Sequence, residues 1–246
     1  MKKNFIYAAL ALGAVIGATS CSSEDVPTPA DGRGVSFTVN LPAELNTRAY
    51  GDGLSATTLY YAVYESGKTN PDGSFTALTL DDAAENPALG KKQFVDRTTT
   101  VTLDLPLGKE YDIVFFAANE GSPYALDLAH QTFTVDFAKM NEINQSNPST
   151  NYDKNDCFVR GVKNFSITGP STKTVVLYRP VAQLNIGTSD IMSALKGNLD
   201  YTTTKVEIKN VYNTFNLLAG TADSDGLVMG DVVADKVEEN VALTEW

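Results

Sequence analysis

The chain has 246 residues, of which 43% are hydrophobic and 20% charged, so it can bury one large core or two modest ones and has a globular composition rather than a disordered or fibrous one. Its 19 basic against 30 acidic side chains give a formal net charge of −11. That balance argues against nucleic acid as a partner, because a phosphate backbone must be met by a basic surface.

The chain opens with "MKK", and Phe5 to Ala18 then form an uncharged apolar run. The run fits the core of a secretory signal and falls short of the roughly 20 apolar residues that span a bilayer. It ends at "ATSC". Cys21 after these small residues resembles the lipobox of bacterial lipoproteins, in which the cysteine becomes the acylated first residue, although Ala18 stands where leucine is usual. An ordinary signal peptide with an incidental cysteine is the alternative reading. With Cys21 acylated, Cys157 is the one thiol left, so the exported part has no internal disulfide and depends on its core. Residues 21–34, "CSSEDVPTPADGRG", have little to bury and read as a lipidated flexible linker after a signal peptide at 1–20. Serine and acidic residues directly after the cysteine resemble the surface-export signal of lipoproteins of the Bacteroides group.

From Val35 the dominant period is two. In "VSFTVNL", Val35, Phe37, Val39 and Leu41 share one face of a strand. "LNTRAYGDG" follows, with Arg48 in a turn-like setting that reads either as a solvated charge or as a protease site. "TTLYYAVYE" is a second strand. Tyr60 and Tyr64 fall on the face opposite Leu59, Tyr61 and Val63; that face is either an exposed aromatic strip able to contact sugar or protein, or one covered by a further layer. After the turn residues Pro71-Asp72-Gly73, "SFTALTL" is expected to return as its hairpin partner. "TTTVTLDL" alternates and ends at Pro106, while "YDIVFFAA" alternates poorly, as suits a strand covered on both faces. "QTFTVDF" is another strand, Asn141 to Asp156 is a polar excursion, and "FSITG", "KTVVLYRPVAQLNIGT" and "TTTKVEIKNVYNTFNLLAG" resume the pattern. Pro180 marks an edge, a bulge or a change of sheet. Only "SDIMSALKG" suggests a helix, capped by Ser189 or Asp190. The expectation is an all-β chain with a first domain over 35–178 and a second beginning at 179. Its end on "NVALTEW", mid-strand in character, suggests a longer natural protein.

Catalytic signals are sparse. His130 is the single histidine, too few for a zinc site or for more than one Ser-His-Asp arrangement, and no nucleophile elbow, HExxH or P-loop occurs. The acidic groups Asp81-Asp82 and Asp223, Asp225 and Asp231 read as turn residues, and "DSDGLVMGD" lacks the spacing of a calcium loop. No catalytic residue, metal or cofactor is expected.

Four segments, "TRAYGDGLSATTLYYAVYESG", "LPLGKEYDIVFFAANEG", "KTVVLYRPVAQLNIGTSD" and "VYNTFNLLAG", together resemble the fimbrillin-like proteins of the Bacteroides group, the superfamily of major and minor fimbrial subunits or type V pilins. The resemblance implies tandem transthyretin-like Greek-key β-sandwich domains, the second incomplete in this chain. It implies a precursor anchored in the outer membrane through lipid, here palmitate or a similar acyl chain, on Cys21. An arginine-specific protease would then cut after Arg48, leaving Ala49 as the new N-terminus and removing residues 35–48 with the anchor. Neighbouring subunits of the fimbrium would be the partners, joined by a donor strand that the family takes from its far C-terminus, and the filament would serve adhesion or biofilm. The alternative function is a non-polymerising surface lipoprotein that binds a glycan or host protein through Tyr60 and Tyr64.

Overall fold

The structure, a computed structural model, describes residues 34–42, 53–81, 86–139, 155–180, 203–222 and 229–237. The fold is all-β. Its centre is a four-stranded antiparallel sheet in the order β3-β2-β5-β8, formed by β2 (Thr58–Glu65), β3 (Gly90–Gln93), β5 (Glu110–Ala118) and β8 (Cys157–Ser166). β2 and β5 are buried almost throughout, which explains why "YDIVFFAA" alternates so weakly: both of its faces meet apolar neighbours.

One face of the central sheet carries Leu59, Tyr61 and Val63 from β2 and Tyr111, Ile113, Phe115 and Ala117 from β5. These pack against a three-stranded sheet in the order β4-β1-β9, made by β1 (Gly34–Asn40), β4 (Thr98–Asp104) and β9 (Ser171–Val176). The opposite face carries Ala62, Tyr64, Val114, Phe116 and Ala118 and meets Phe133, Val135 and Leu217. That second cover is a sheet in the order β12-β11-β7-β6, from β6 (Tyr124–Asp127), β7 (Thr132–Val135), β11 (Thr214–Asn216) and β12 (Thr221–Ala222). The remaining strands, β10 (Thr203–Tyr212) and β13 (Met229–Val237), pair antiparallel with each other.

Several expectations are refined. "SFTALTL" is not a regular strand; it touches β2 through a single bridge from Ala77 to Tyr64, and Leu78 donates to the carbonyl of Val63. The edge of β2 is shared instead, with β3 beside its first half. Pro180 follows a change of sheet: Leu177 donates to Asn40 of β1, whereas Tyr178 pairs with Val159 of β8. The segment "SDIMSALKG" lies outside the described residues. Beyond Tyr178, β11 pairs with β7, Leu217 is buried in the second core, and Phe215 stacks on Phe133 at 5.0 Å. Residues 214–218 therefore pack on the body formed by β2, β5 and β7.

The seat for that return is a glycine. A Cβ on Gly161 of β8 would collide with the backbone of Leu218, so only a residue without a side chain lets the segment lie flat there. Gly161→Ala is expected to cost about 1–3 kcal/mol of unfolding free energy through overpacking. Urea denaturation checks this, and a loss below about 0.5 kcal/mol, the usual range of a surface change, would show that the close approach is not needed.

Candidate functional site

The first of the described strands is interior to its sheet. β1 is the middle strand of its sheet, antiparallel to β4 on one side and parallel to β9 on the other, so its N–H and C=O groups are used in both directions. Val35, Phe37, Val39 and Leu41 all point into the first core, as the period of two predicted, and Phe37 is fully buried with its ring 5.6 Å from Phe115 and 5.3 Å from Phe165. The opposite face is hydroxylic: Ser36 meets Thr102 at 3.3 Å, and Thr98 donates to the Asn40 amide oxygen at 2.8 Å. The parallel partner was not foreseeable, since it joins residues 136 positions apart, such as Val35 and Ser171, that carry no pairing signal of their own.

The exit from β1 is held by a turn that sequence reasoning passed over. β3 and β4 are joined through Val95-Asp96-Arg97-Thr98, with Val95 and Thr98 exchanging both main-chain hydrogen bonds at 2.9 Å. Asp96 and Arg97 have φ values of 46° and 70°, the signs a type I′ hairpin requires at its two central positions. Glycine is the usual second residue there, and a larger side chain costs on the order of 1 kcal/mol in this region. Arg97 occupies it with two contacts to the end of the leading strand: its carbonyl accepts from the Leu41 N–H at 2.9 Å, and its Nη1 donates to the Pro42 carbonyl at 3.0 Å. Gly53, where the described chain resumes, also lies here, with its φ of 80° and its Cβ direction filled by the Phe158 ring at 3.0 Å and Arg97 Nη1 at 3.9 Å. Pro42 and Gly53, the described residues on either side of 43–52, thus both lie near one guanidinium, and residues 43–52 include Arg48.

Cys21, Arg48 and Ala49 lie outside the described residues. Tyr60 and Tyr64 do share the face opposite Tyr61, but that face is not an open aromatic strip. Tyr64 is 1% exposed, donates to the Leu128 carbonyl at 2.9 Å and meets the Phe75 ring edge-on. Tyr60 is half-buried against the second core, with Lys91 Nζ 5.9 Å from its ring centroid and that ammonium also paired to Glu120 at 3.1 Å. The sheet of β6, β7, β11 and β12 is the physical reason: it supplies the layer that the tyrosines need. His130 sits exposed on a turn with Nδ1 2.7 Å from Asp127. Asp81 is exposed, Asp231 lies on β13, and Asp82, Asp223 and Asp225 fall outside the described residues. Among the described residues no group of three His, Cys, Asp or Glu side chains converges as a metal site would require.

The site defined by this geometry is a strand site: a groove between β4 and β9 filled by the chain's own first strand, in an all-β body of small sheets. The chain belongs to a family of unknown function, DUF6562, whose model matches residues 27–243. No curated protein matches it. Among solved structures it is similar to a fimbrial assembly protein from Parabacteroides distasonis, at 10% identity and a TM-score of 0.35 over 86% of this chain and 78% of that one. It is also similar to the pilus-presented adhesin Spy0125 (Cpa), at 9% identity and a TM-score of 0.25 over 63% of this chain and 28% of that one. These are distant likenesses to fimbrial and pilus proteins, and the architecture given above rests on this chain's own strands.

The second core also holds titratable groups with no charged role. Burial pushes the Cys157 thiol up to about 12. Burial likewise raises the Tyr124 and Tyr64 phenols, with the Asp127 charge adding to the shift of Tyr64. A raised native pKa stabilises the fold fully below the unfolded value, about 8.5 for a thiol, and that stabilisation is lost as the pH climbs toward the native value. Stability should therefore fall above about pH 8.5, first through Cys157 and then, above about pH 10, through the tyrosines. In a Cys21→Ser background, Cys157→Ala is expected to reduce the slope of unfolding free energy between pH 9 and 10 by about 1 kcal/mol per pH unit. Denaturant titrations at each pH check it, and an unchanged slope would place Cys157 outside the alkaline transition.

Proposed function

We propose that this chain is a structural subunit of a surface filament, a fimbrial subunit rather than an enzyme. It is exported as a lipoprotein precursor acylated at Cys21, and readied for assembly when an arginine-specific protease cuts after Arg48. One observation carries the reading: the first of the described strands is the central strand of its sheet, and the chain that links it to the rest of the described body runs through residues 43–52, which hold Arg48. A cut there leaves β1 attached by non-covalent contacts alone and separates it, with the lipid, from everything that follows.

The distribution of arginines favours the same site. The chain's arginines are Arg33, Arg48, Arg97, Arg160 and Arg179. A trypsin-like protease needs an extended, unpaired stretch in its cleft. Arg97 is locked in a two-residue hairpin, Arg160 is paired with Phe115 inside the central sheet, and Arg179 precedes Pro180, whose ring obstructs the position after the cut. Cleavage after Arg33 would shed the lipid but leave β1 in place. Cleavage after Arg48 sheds the lipid and frees the strand in one step.

The buried apolar side chains Val35, Phe37 and Val39 of β1, with Leu41 just after it, contribute roughly 6–12 kcal/mol of gross apolar burial, at about 1.5–3 kcal/mol each. That is comparable to the entire net stability of a domain, about 5–15 kcal/mol. A body with an empty groove is therefore poorly stable, and the energetically open route is exchange of β1 for an equivalent strand rather than its simple loss. Supplied head-to-tail by a neighbouring subunit, such a strand builds a filament and not a closed ring. Under this reading the layered body is a transthyretin-like sandwich in function, presented at the outer membrane before processing and in a fimbrium after it. The burial of Tyr64 and the occupied ring of Tyr60 remove support from the glycan-binding alternative.

Treatment of the purified precursor with an arginine-specific protease should yield one compact product whose N-terminal sequence begins at Ala49, and Arg48→Gln should block that product. A product beginning at Gly34 would mean that only the anchor is removed and would sink the strand-exchange mechanism. Mixed cleaved subunits are expected to form a denaturant-resistant ladder on gels, absent for Arg48→Gln.

A further inference from the structure

We infer that Arg97 is the latch on the leading strand: the residue that holds the departing end of β1 and sets how readily that strand opens from its sheet. A hairpin turn that would be relaxed with glycine keeps an arginine at φ 70°, and backbone held in such a region persists where the surroundings use it. What the arginine adds over glycine is its side chain. The main-chain bond from Leu41 to the Arg97 carbonyl would survive a glycine; the bond from Nη1 to the Pro42 carbonyl would not. Pro42 also cannot donate to a neighbouring strand, so the sheet cannot continue past Leu41 through its nitrogen, and the guanidinium anchors Pro42 through its carbonyl instead. The same guanidinium lies near Gly53, its Nη1 3.9 Å from where a Cβ on that glycine would stand.

The two contributions of residue 97 have opposite signs, which makes the inference testable. Were Arg97 only a turn residue, Arg97→Gly would relieve strain and tighten the Val95–Thr98 turn together with the strand beside it. As a latch, the same substitution loosens β1 while the turn itself improves. The role in strand release rests on the proposed cleavage after Arg48; the effect on β1 in the uncut chain does not.

Hydrogen exchange on the uncut protein addresses the latch directly. In Arg97→Gly the amides of Val35 to Leu41 are expected to exchange about tenfold faster or more, the consequence of losing a charge-assisted hydrogen bond, while amides of β2 and β5 keep their protection. Arg97→Lys, which restores a cationic donor at the same strained position, should recover part of the difference. Unchanged or slower exchange in β1, or equal acceleration in β1, β2 and β5, would overturn the latch. A second measurement follows the fragment that ends at Arg48 after protease treatment: its dissociation from the body should quicken in Arg97→Gly by a factor similar to that seen in exchange, and an unchanged rate would overturn the role in release. Failure of the protease to cut after Arg48 would refute the proposed processing, and hydrogen exchange on the uncut chain would still decide for or against the latch.

Discussion

Two neighbouring strands, β2 and β5, are apolar on both faces, and this constraint generates the rest of the architecture. A sheet buried on one side needs one cover; a sheet buried on both needs two. The body supplies them from different parts of the chain. The sheet of β4, β1 and β9 covers Tyr61, Ile113 and Phe115, and the sheet of β6, β7, β11 and β12 covers Tyr64, Val114 and Phe116. Without either layer, aromatic surface that dominates the core energetics would face water.

The covers differ in how they are attached. The second is built largely from β6 and β7, which follow β5 directly, and is finished by a short return that rests on Gly161. The first has at its middle the strand that comes first in the chain. β4 and β9 do not pair with each other, so they are joined into a sheet only through β1. Removing that strand does not thin the layer at an edge; it divides the layer into two single strands. An edge strand could be lost with little consequence for its neighbours, whereas a central one must be retained or replaced. This is why the position of β1, more than its composition, bears on what the chain does.

Much of this was legible in the residues, and the parts that were not share a cause. Alternation in "VSFTVNL" gave both the strand and its inward face, and the weak alternation of "YDIVFFAA" gave a strand covered twice, because periodicity is a local consequence of the pleat. The placement of Tyr60 and Tyr64 on one face was readable for the same reason. What covers that face was not, because the cover depends on Phe133, Phe215 and Leu217 meeting across the fold. The parallel pairing of β1 with β9 and the return of β11 are likewise decided by non-local packing. Arg97 escaped notice for a different reason: Asp-Arg is not a recognised hairpin dipeptide, and the turn became apparent only from two positive φ values and the partners of the guanidinium.

The neighbours of β1 also restrict what could take its place. A strand entering between β4 and β9 must run antiparallel to the first and parallel to the second, so its direction is fixed before any side chain is considered. Its side chains are then fixed by the pleat: apolar at the positions of Val35, Val39 and Leu41, aromatic at that of Phe37 to fill the space beside Phe115 and Phe165, and small or hydroxylic between them to lie alongside Thr100 and Thr102. A slip of one residue would turn the aromatic outward and set a hydroxyl against the core, so register and identity are selected together. Lys173 guards the open side of this arrangement. It stands on β9 at the register of Phe37 with its ammonium 5.0 Å from the Phe165 ring, and a charge at the rim of an edge strand discourages a further strand from adding there. Among the described residues, the slot between β4 and β9 is thus one where both edges of a strand find partners.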